Sequence, residues 1–282
     1  MSAQDHRYDD VAQASAAQVI AGYSTSFGWA TRLLARPVRT HVRNIYALVR
    51  VADEIVDDPD PALTPAWRRE QLDELEAETY RALDSTRSSN LVVHAFALTA
   101  RRFGIGPELV GPFFASMRAD LVRSRHDAQS LSDYVHGSAE VVGLMCLRVF
   151  TGGDVTAYER LRPGAERLGA AFQKVNFLRD LADDHDQLGR TYFPGLDPAA
   201  FSDAHRDELL DDIDADLAAA AEAIRLLPDS SRRAVRAAHA LYSALSRRLR
   251  STPAARIREA RIRVPDGQKA VILVKALAGR TA

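Results

Sequence analysis

Asn176–Pro194, NFLRDLADDHDQLGRTYFP, carries Asp180, Asp183 and Asp184 inside a run punctuated by apolar residues at helical spacing. A second stretch, Tyr46–Asp58, YALVRVADEIVDD, carries Asp53, Glu54, Asp57 and Asp58 in the same style. In each, two acids stand four apart: Asp53 with Asp57, and Asp180 with Asp184. Four residues make roughly one helical turn, so each pair is expected on one helix face, about 5–6 Å apart. Apolar residues around the second stretch recur at three and four, as in Val42, Ile45, Val49, Ala52 and Val56. Both acid pairs are therefore expected on amphipathic helices.

The same period continues along the chain. It predicts helices over 12–35 (broken near 22–26), 38–56, 65–83, 90–103, 107–122, 130–150, 156–186, 203–227, 231–249 and 267–277. Pro59 and Pro61 end the second of these, Gly104 and Gly106 stop the fourth, and Pro107 suits a first helical turn. Sustained alternation and Asn-Gly hairpin signals are absent. No proline- or serine-rich linker and no fixed repeat divides the chain. The expected fold is all-α, one domain over residues 1–282, with residues 1–10 as a flexible tail and helices around a central pocket.

With 282 residues, 46% of them hydrophobic, the chain can bury a sizeable core. A net charge of −1 gives no global pull toward nucleic acid. The single cysteine, Cys146, rules out a disulfide within the chain and sits in an apolar run, as a buried structural thiol does. The N-terminus, MSAQDHRYDD, is polar and acidic, unlike a signal peptide. No apolar run reaches the roughly 18 residues that span a bilayer. The expectation is a cytoplasmic protein. Its oligomeric state is not legible.

The seven carboxylates named above would repel one another if they faced the same space. Hard divalent cations relieve such repulsion, and oxygen ligands suit Mg²⁺, with Mn²⁺ as a substitute. Mg²⁺ keeps several waters and bridges carboxylates to substrate phosphates. The flanks fit that reading. Arg50 precedes Asp53 by one turn, Arg179 adjoins Asp180, and Arg190 follows the second motif. Guanidinium forks match phosphate oxygens. Asn176 lies one turn before Asp180, and Gln173 three residues earlier, on the same face. The plainer alternative is a pair of solvated helix faces with local acid–base pairs. His41, His94, His136 and His239 show no metal spacing and read as structural. Gly137 and Gly143 read as sites of close helix approach or of room for a chain.

Five elements in order resemble a known family, the head-to-head isoprenyl diphosphate synthases, namely the squalene and phytoene synthases. Tyr23–Phe27, YSTSF, resembles its N-terminal serine element. Tyr46, Arg50, Asp53, Glu54 and Asp57 are similar to its first aspartate motif. Tyr134–Gly143, YVHGSAEVVG, resembles its pocket helix, with Glu140 at a position often held by glycine. Gln173, Asn176, Arg179, Asp180, Asp183 and Asp184 match the second motif, followed by Gly189, Arg190, Tyr192 and Pro194. Arg261–Pro265, RIRVP, resembles a C-terminal element.

The resemblance, closest in form to bacterial phytoene synthases, implies an isoprenoid synthase fold, a deep apolar pocket and Mg²⁺ at its mouth. It implies metal binding by Asp53, Asp57, Asp180 and Asp184, assisted by Asn176 and Asp183. It implies diphosphate contacts from Ser24, Ser26, Arg50 and Arg261, with Gln173, Arg179 and Arg190 beside them. Phe27, Tyr46, Tyr134 and Tyr242 would lie near the reacting carbons, and Tyr192 would be a substrate-binding residue. The implied reaction joins two geranylgeranyl diphosphates through a cyclopropylcarbinyl diphosphate to phytoene, without NADPH. A C15 relative making squalene, dehydrosqualene or hydroxysqualene is the alternative. A helical protein that has lost catalysis and serves assembly or binding is another. An apolar product implies reversible contact with the inner face of the cell membrane, for which the apolar run after Arg261 is the candidate surface.

Overall fold

The computed structural model describes residues 3–23, 30–58, 60, 62–183 and 189–277. Ser24, Ser26, Phe27 and Asp184 lie outside the described residues. The helices are α1 (Ala3–Tyr23), α2 (Arg36–Asp57), α3 (Pro65–Asp84), α4 (Leu91–Phe103), α5 (Pro107–Asp120) and α6 (Ala128–Val135). They continue as α7 (Val141–Phe150), α8 (Val155–Arg179), α9 (Asp203–Leu226), α10 (Asp229–Arg250), α11 (Ala254–Ile257) and α12 (Asp266–Leu277). No strand occurs among the described residues; one isolated bridge joins Arg125 to Thr191. The fold is all-α, as expected.

Local chemistry sets the helix ends. Asn90 caps α4 through its side-chain oxygen, and Gly104 closes it in the left-handed region at φ 68°. Pro65 and Pro107 occupy first-turn positions, where a missing N–H costs nothing. Asp127 and Ser130 form a capping box that starts α6.

α2 is the axis of the first half. Its Ile45, Leu48, Ala52 and Val56 pack with Phe96 of α4, Phe113 of α5 and Leu144 of α7. α8 is the axis of the second half, where Ala171, Val175 and Leu178 meet Leu210 and Ile213 of α9 and Leu249 of α10. Each Val, Leu, Ile or Phe among them contributes about 1.5–3 kcal/mol when fully buried.

A wider turn, His136–Glu140, with hydrogen bonds five residues apart, separates α6 from α7 where one helix over 130–150 was expected. Its Gly137 meets α5 closely: a Cβ there would stand 2.1 Å from the Pro112 carbonyl oxygen. A Cβ on Gly169 of α8 would stand 2.9 Å from the Ala139 carbonyl oxygen. Glu140 turns to His136, whose Nδ1 lies 2.9 Å from its carboxylate.

Two expectations are corrected. Residues 3–10 are not a tail but the first turns of α1. Tyr8 donates to the Ser88 carbonyl at 2.7 Å, and Asp9 lies 2.8 Å from the His94 ring nitrogen, so long-range contacts hold them. The helix predicted over 156–186 is broken at Asp180: α8 runs to Arg179, and helical backbone resumes over 181–183. Asp180 is the C-cap of α8, at φ −100° and ψ 10°.

The run after Arg261 divides between core and surface: Val264 and Ile272 are buried, while Val271 and Val274 are exposed. Among the described residues no helix is long and apolar enough to cross a membrane.

Candidate active site

The helices carrying both acidic motifs wall one apolar cavity. Its volume is about 250 Å³, and Val42 of α2 and Gly169 and Phe172 of α8 line it with Val142 of α7 and Ala238 of α10. Cys146 also lines it, its thiol pushed up to about 12 by burial, so it is an inert wall residue.

The first acidic group gathers at the end of α2. Asp53 keeps partial exposure, and Asp57 is open to solvent. Arg190 crosses from the loop beyond the second motif and donates from Nη1 to Asp57 Oδ1 at 2.8 Å. Its Nη2 donates to the Asp120 carbonyl at 3.1 Å, and Nη1 lies 3.7 Å from Asp120 Oδ1. The loop is aimed by Gly189, at φ 64°, and by Thr191, whose N–H donates to the Ser124 carbonyl at 2.8 Å. Tyr134 donates to Asp120 Oδ2 at 2.8 Å.

Charge in this group is unbalanced. Burial, then the Asp57 charge, push the Asp53 carboxyl up to about 8, with Arg50 only partly opposing them. Burial likewise lifts Asp120 to about 7 against the pull of Arg190. Burial works against the Arg190 charge, but Asp120 and Asp57 outweigh it and hold the guanidinium firmly protonated. Burial and Asp120 hold the Tyr134 phenol well above its ordinary value. Two carboxylates, Asp57 and Asp120, thus face one buried arginine, while Arg50, the base that acts on Asp53, pairs with Glu54 and lies 4.7 Å from the Tyr23 ring centre. Tyr46 is half-buried one turn before Arg50.

The second group gathers at the end of α8. Arg179 pairs with Asp180, donating from Nε at 2.8 Å, and Arg261 Nε lies 2.9 Å from Asp180 Oδ1. Tyr242 donates to the Asn176 side-chain oxygen at 3.4 Å and stacks on Phe172 with ring centres 3.8 Å apart. Gln173, Asn176 and Asp183 are half-buried. The two groups are joined by aromatic rings. Phe177, next to Asn176, stacks on Tyr192 at 3.9 Å, and Tyr192 lies 5.5 Å from Tyr134.

Among the described residues, no three His, Cys, Asp or Glu side chains lie close enough to hold an ion by themselves. The donors that are present are all oxygen, and the raised Asp53 carboxyl marks negative charge that the protein leaves uncompensated. Both properties suit a hard divalent cation that also takes ligands from a substrate.

Sequence reasoning missed Asp120. Its signal is an acid in the last turn of a helix, where the helix dipole disfavours it. It also missed His126, whose ring stacks on Tyr192 at 5.8 Å. The four singled-out histidines have structural partners: His41 meets Thr99, His94 meets Asp9, His136 meets Glu140, and His239 meets the Leu217 carbonyl.

Residues 20–268 match the family model described as squalene/phytoene synthase. The chain is similar to a phytoene synthase of Mycobacterium bovis, at 31% identity over 90% of this chain and 86% of that protein. It is similar to a 4,4'-diapophytoene synthase of Staphylococcus haemolyticus, at 27% identity over 68% of this chain and 65% of that protein. Its fold is similar to a crystal structure of a dehydrosqualene synthase in complex with ligand. The TM-score is 0.79 at 20% identity, covering 98% of both chains.

Proposed function

The chain belongs to the squalene/phytoene synthase family of head-to-head prenyltransferases, and on that premise we propose that it condenses two geranylgeranyl diphosphates to phytoene with release of diphosphate. The observation that carries this reading is the pair of acidic groups on helices that wall one apolar cavity.

Asp53 and Asp57 on one side, and Asn176, Asp180 and Asp183 on the other, are the residues that would hold Mg²⁺, with Asp184 as a further ligand. Bound Mg²⁺ would supply neutralisation of the charge that grows on the departing diphosphate. Ser24 and Ser26 are assigned diphosphate contacts on the family pattern alone. Arg50, Arg179, Arg190 and Arg261 would turn their guanidinium forks to phosphate oxygens as substrate displaces carboxylates from them. Gln173 lies one residue from the cavity wall at Phe172 and would hold the diphosphate's neighbourhood polar.

The allylic cation left behind needs a dry wall that does not react with it. The apolar cavity supplies one, and Phe27, Tyr46, Tyr134, Tyr192 and Tyr242 would add ring faces that stabilise positive charge. Proton loss ends the sequence, with the diphosphate as acceptor, so no nicotinamide is required. The similarity to a diapophytoene synthase supports a second reading, in which the substrate is the C15 diphosphate.

The test is product identification. Purified protein is incubated with Mg²⁺ and either the C15 or the C20 diphosphate, with and without NADPH. A C40 hydrocarbon formed without NADPH supports the proposal. Turnover of the C15 substrate alone overturns it in favour of the second reading.

A further inference from the structure

The arginines of α2 stand at the wrong end for helix stability. The helix opens with Arg36, Arg39 and Arg43 and closes with Asp53 and Asp57, with no acid in its first turn and no base in its last. Both placements oppose the helix macrodipole. The acids answer to the site described above. The arginines have no such explanation.

They belong to a larger cationic face. From residue 30 to residue 52 the chain has five arginines and no acid. Arg36, Arg39 and Arg43 share a side of α2 at spacings of three and four. Burial, then Arg39 and Arg32, depress the Arg43 guanidinium, a sign of crowded positive charge. Arg102, at the end of α4, acts on His41 of α2, and the His41 ring lies 4.7 Å from that of Phe103. The start of α10 joins them, because the Ala35 N–H donates to the Ser230 carbonyl at 2.9 Å, and exposed Arg233 follows. Arg39 donates to the Arg32 and Leu34 carbonyls rather than to an acid. Among the described residues, none of Arg32, Arg36, Arg39, Arg43 and Arg102 is paired with a carboxylate; the ion pairs of this region join Arg232 to Asp229 and Arg50 to Glu54.

This face lies far from the acids. Arg39 and Asp53 are fourteen residues apart on one helix, about 21 Å along its axis. The apolar cavity reaches it: Leu34, Val42 and Ala234 line the cavity and alternate in sequence with these arginines. Leu33, Pro37 and Val38 lie between them as well.

We infer that the face formed by Arg32, Arg36, Arg39, Arg43, Arg102 and Arg233 docks the protein on an anionic phospholipid surface, with the cavity's arginine-flanked end toward the bilayer. Unpaired guanidiniums interleaved with apolar side chains suit phosphate headgroups over hydrocarbon. The use of that docking, delivery of an apolar product, rests on the proposed function; the docking itself does not. It differs from the contact expected of the run after Arg261, where Val271 and Val274 are exposed beside Lys275.

Substrate-free protein is sedimented with vesicles of phosphatidylcholine alone and of an equal mixture with phosphatidylglycerol, at low and high salt. The wild type is expected to bind the anionic vesicles, to release them at high salt, and to ignore the neutral ones. Arg32→Gln/Arg36→Gln/Arg102→Gln is expected to weaken binding by about fivefold for each charge removed, ~100-fold together. The same positions changed to Lys should retain binding. Removing the same charge elsewhere, with Arg162→Gln/Arg225→Gln/Arg256→Gln, should leave it within a few-fold of wild type. Equal binding to both vesicles, no binding, or tighter binding to duplex RNA than to anionic vesicles overturns the inference. So does loss of binding in Val271→Ser/Val274→Ser with the arginine variant unaffected. Diphosphate release assayed in detergent stands apart: a protein that docks but releases none contradicts the function and leaves the docking face standing.

Discussion

Arg190 reaches Asp57 across 133 positions of sequence and donates to its Oδ1 at 2.8 Å. The bond ties the loop after the second acidic motif to the first motif. Asp120 holds the arginine from behind, accepting from Nη2 on its carbonyl, while its carboxylate takes the Tyr134 hydroxyl. These contacts define the position from which Arg190 would meet a phosphate.

Arg190→Lys keeps the charge and loses the fork that serves Asp57 and Asp120 together. Loss of one charge-assisted hydrogen bond is worth about 1.5–3 kcal/mol. Diphosphate release should fall roughly 10- to 150-fold, with urea denaturation showing a folded variant. Wild-type release would remove Arg190 from the site.

Asp53 and Asp120 are both raised in the folded chain, to about 8 and about 7. The native state then binds more protons than the unfolded state between the ordinary carboxylate range and those values. Stability of the metal-free protein therefore falls as pH rises through that window. The urea midpoint of the metal-free protein should decline from about pH 5 to about pH 8, and Asp53→Asn should flatten the decline. Mg²⁺ should raise the wild-type midpoint at the alkaline end and leave that of the variant less changed. A pH-independent wild type contradicts this.

The sequence made the helices legible, because their apolar residues keep strict spacing. Val42, Ile45, Ala52 and Val56, read from periodicity, are all buried. Gly104 and Pro107 end and begin helices through backbone chemistry that needs no tertiary context. Asp120 was not legible, since a single acid carries no pattern and its partners lie on other helices. The N-terminal turns were hidden for the same reason: Tyr8 is held by Ser88, 80 residues away. The wide turn at His136–Glu140 adds a residue without disturbing the apolar pattern around it. Arg190 was legible only as a base following the second motif; its contacts with Asp57 and Asp120 lie on distant helices that no local pattern announces.

Gly137 stands where a Cβ would meet the Pro112 carbonyl oxygen at 2.1 Å. Gly137→Ala forces the His136–Glu140 turn away from α5 and should cost about 1–3 kcal/mol or more, lowering Tm by several degrees in a scan. Gly267→Ala, where a Cβ meets nothing within 4 Å, is the control and should change Tm little. Equal effects would show that the close approach is not required.

Ala238 faces the cavity from α10. Ala238→Leu adds three carbons to its wall and shortens the room for a prenyl chain. One methylene of mismatch is worth about 1–3 kcal/mol, so kcat/KM for the C20 diphosphate should fall at least tenfold relative to the C15 diphosphate. A matched loss on both substrates would show that this wall does not measure chain length.

On the proposed function, the acidic groups at the ends of α2 and α8 hold the metal on which diphosphate departure depends. Asp180 sits between Arg179 and Arg261, and its removal tests that claim with the fewest side effects. The measurement is Mg²⁺-dependent diphosphate release from the C20 substrate by wild type and Asp180→Ala, with helicity followed by circular dichroism. Release by the wild type is expected, with a loss of about 10³-fold or more in the variant at unchanged helicity. Near-normal release by Asp180→Ala would contradict it.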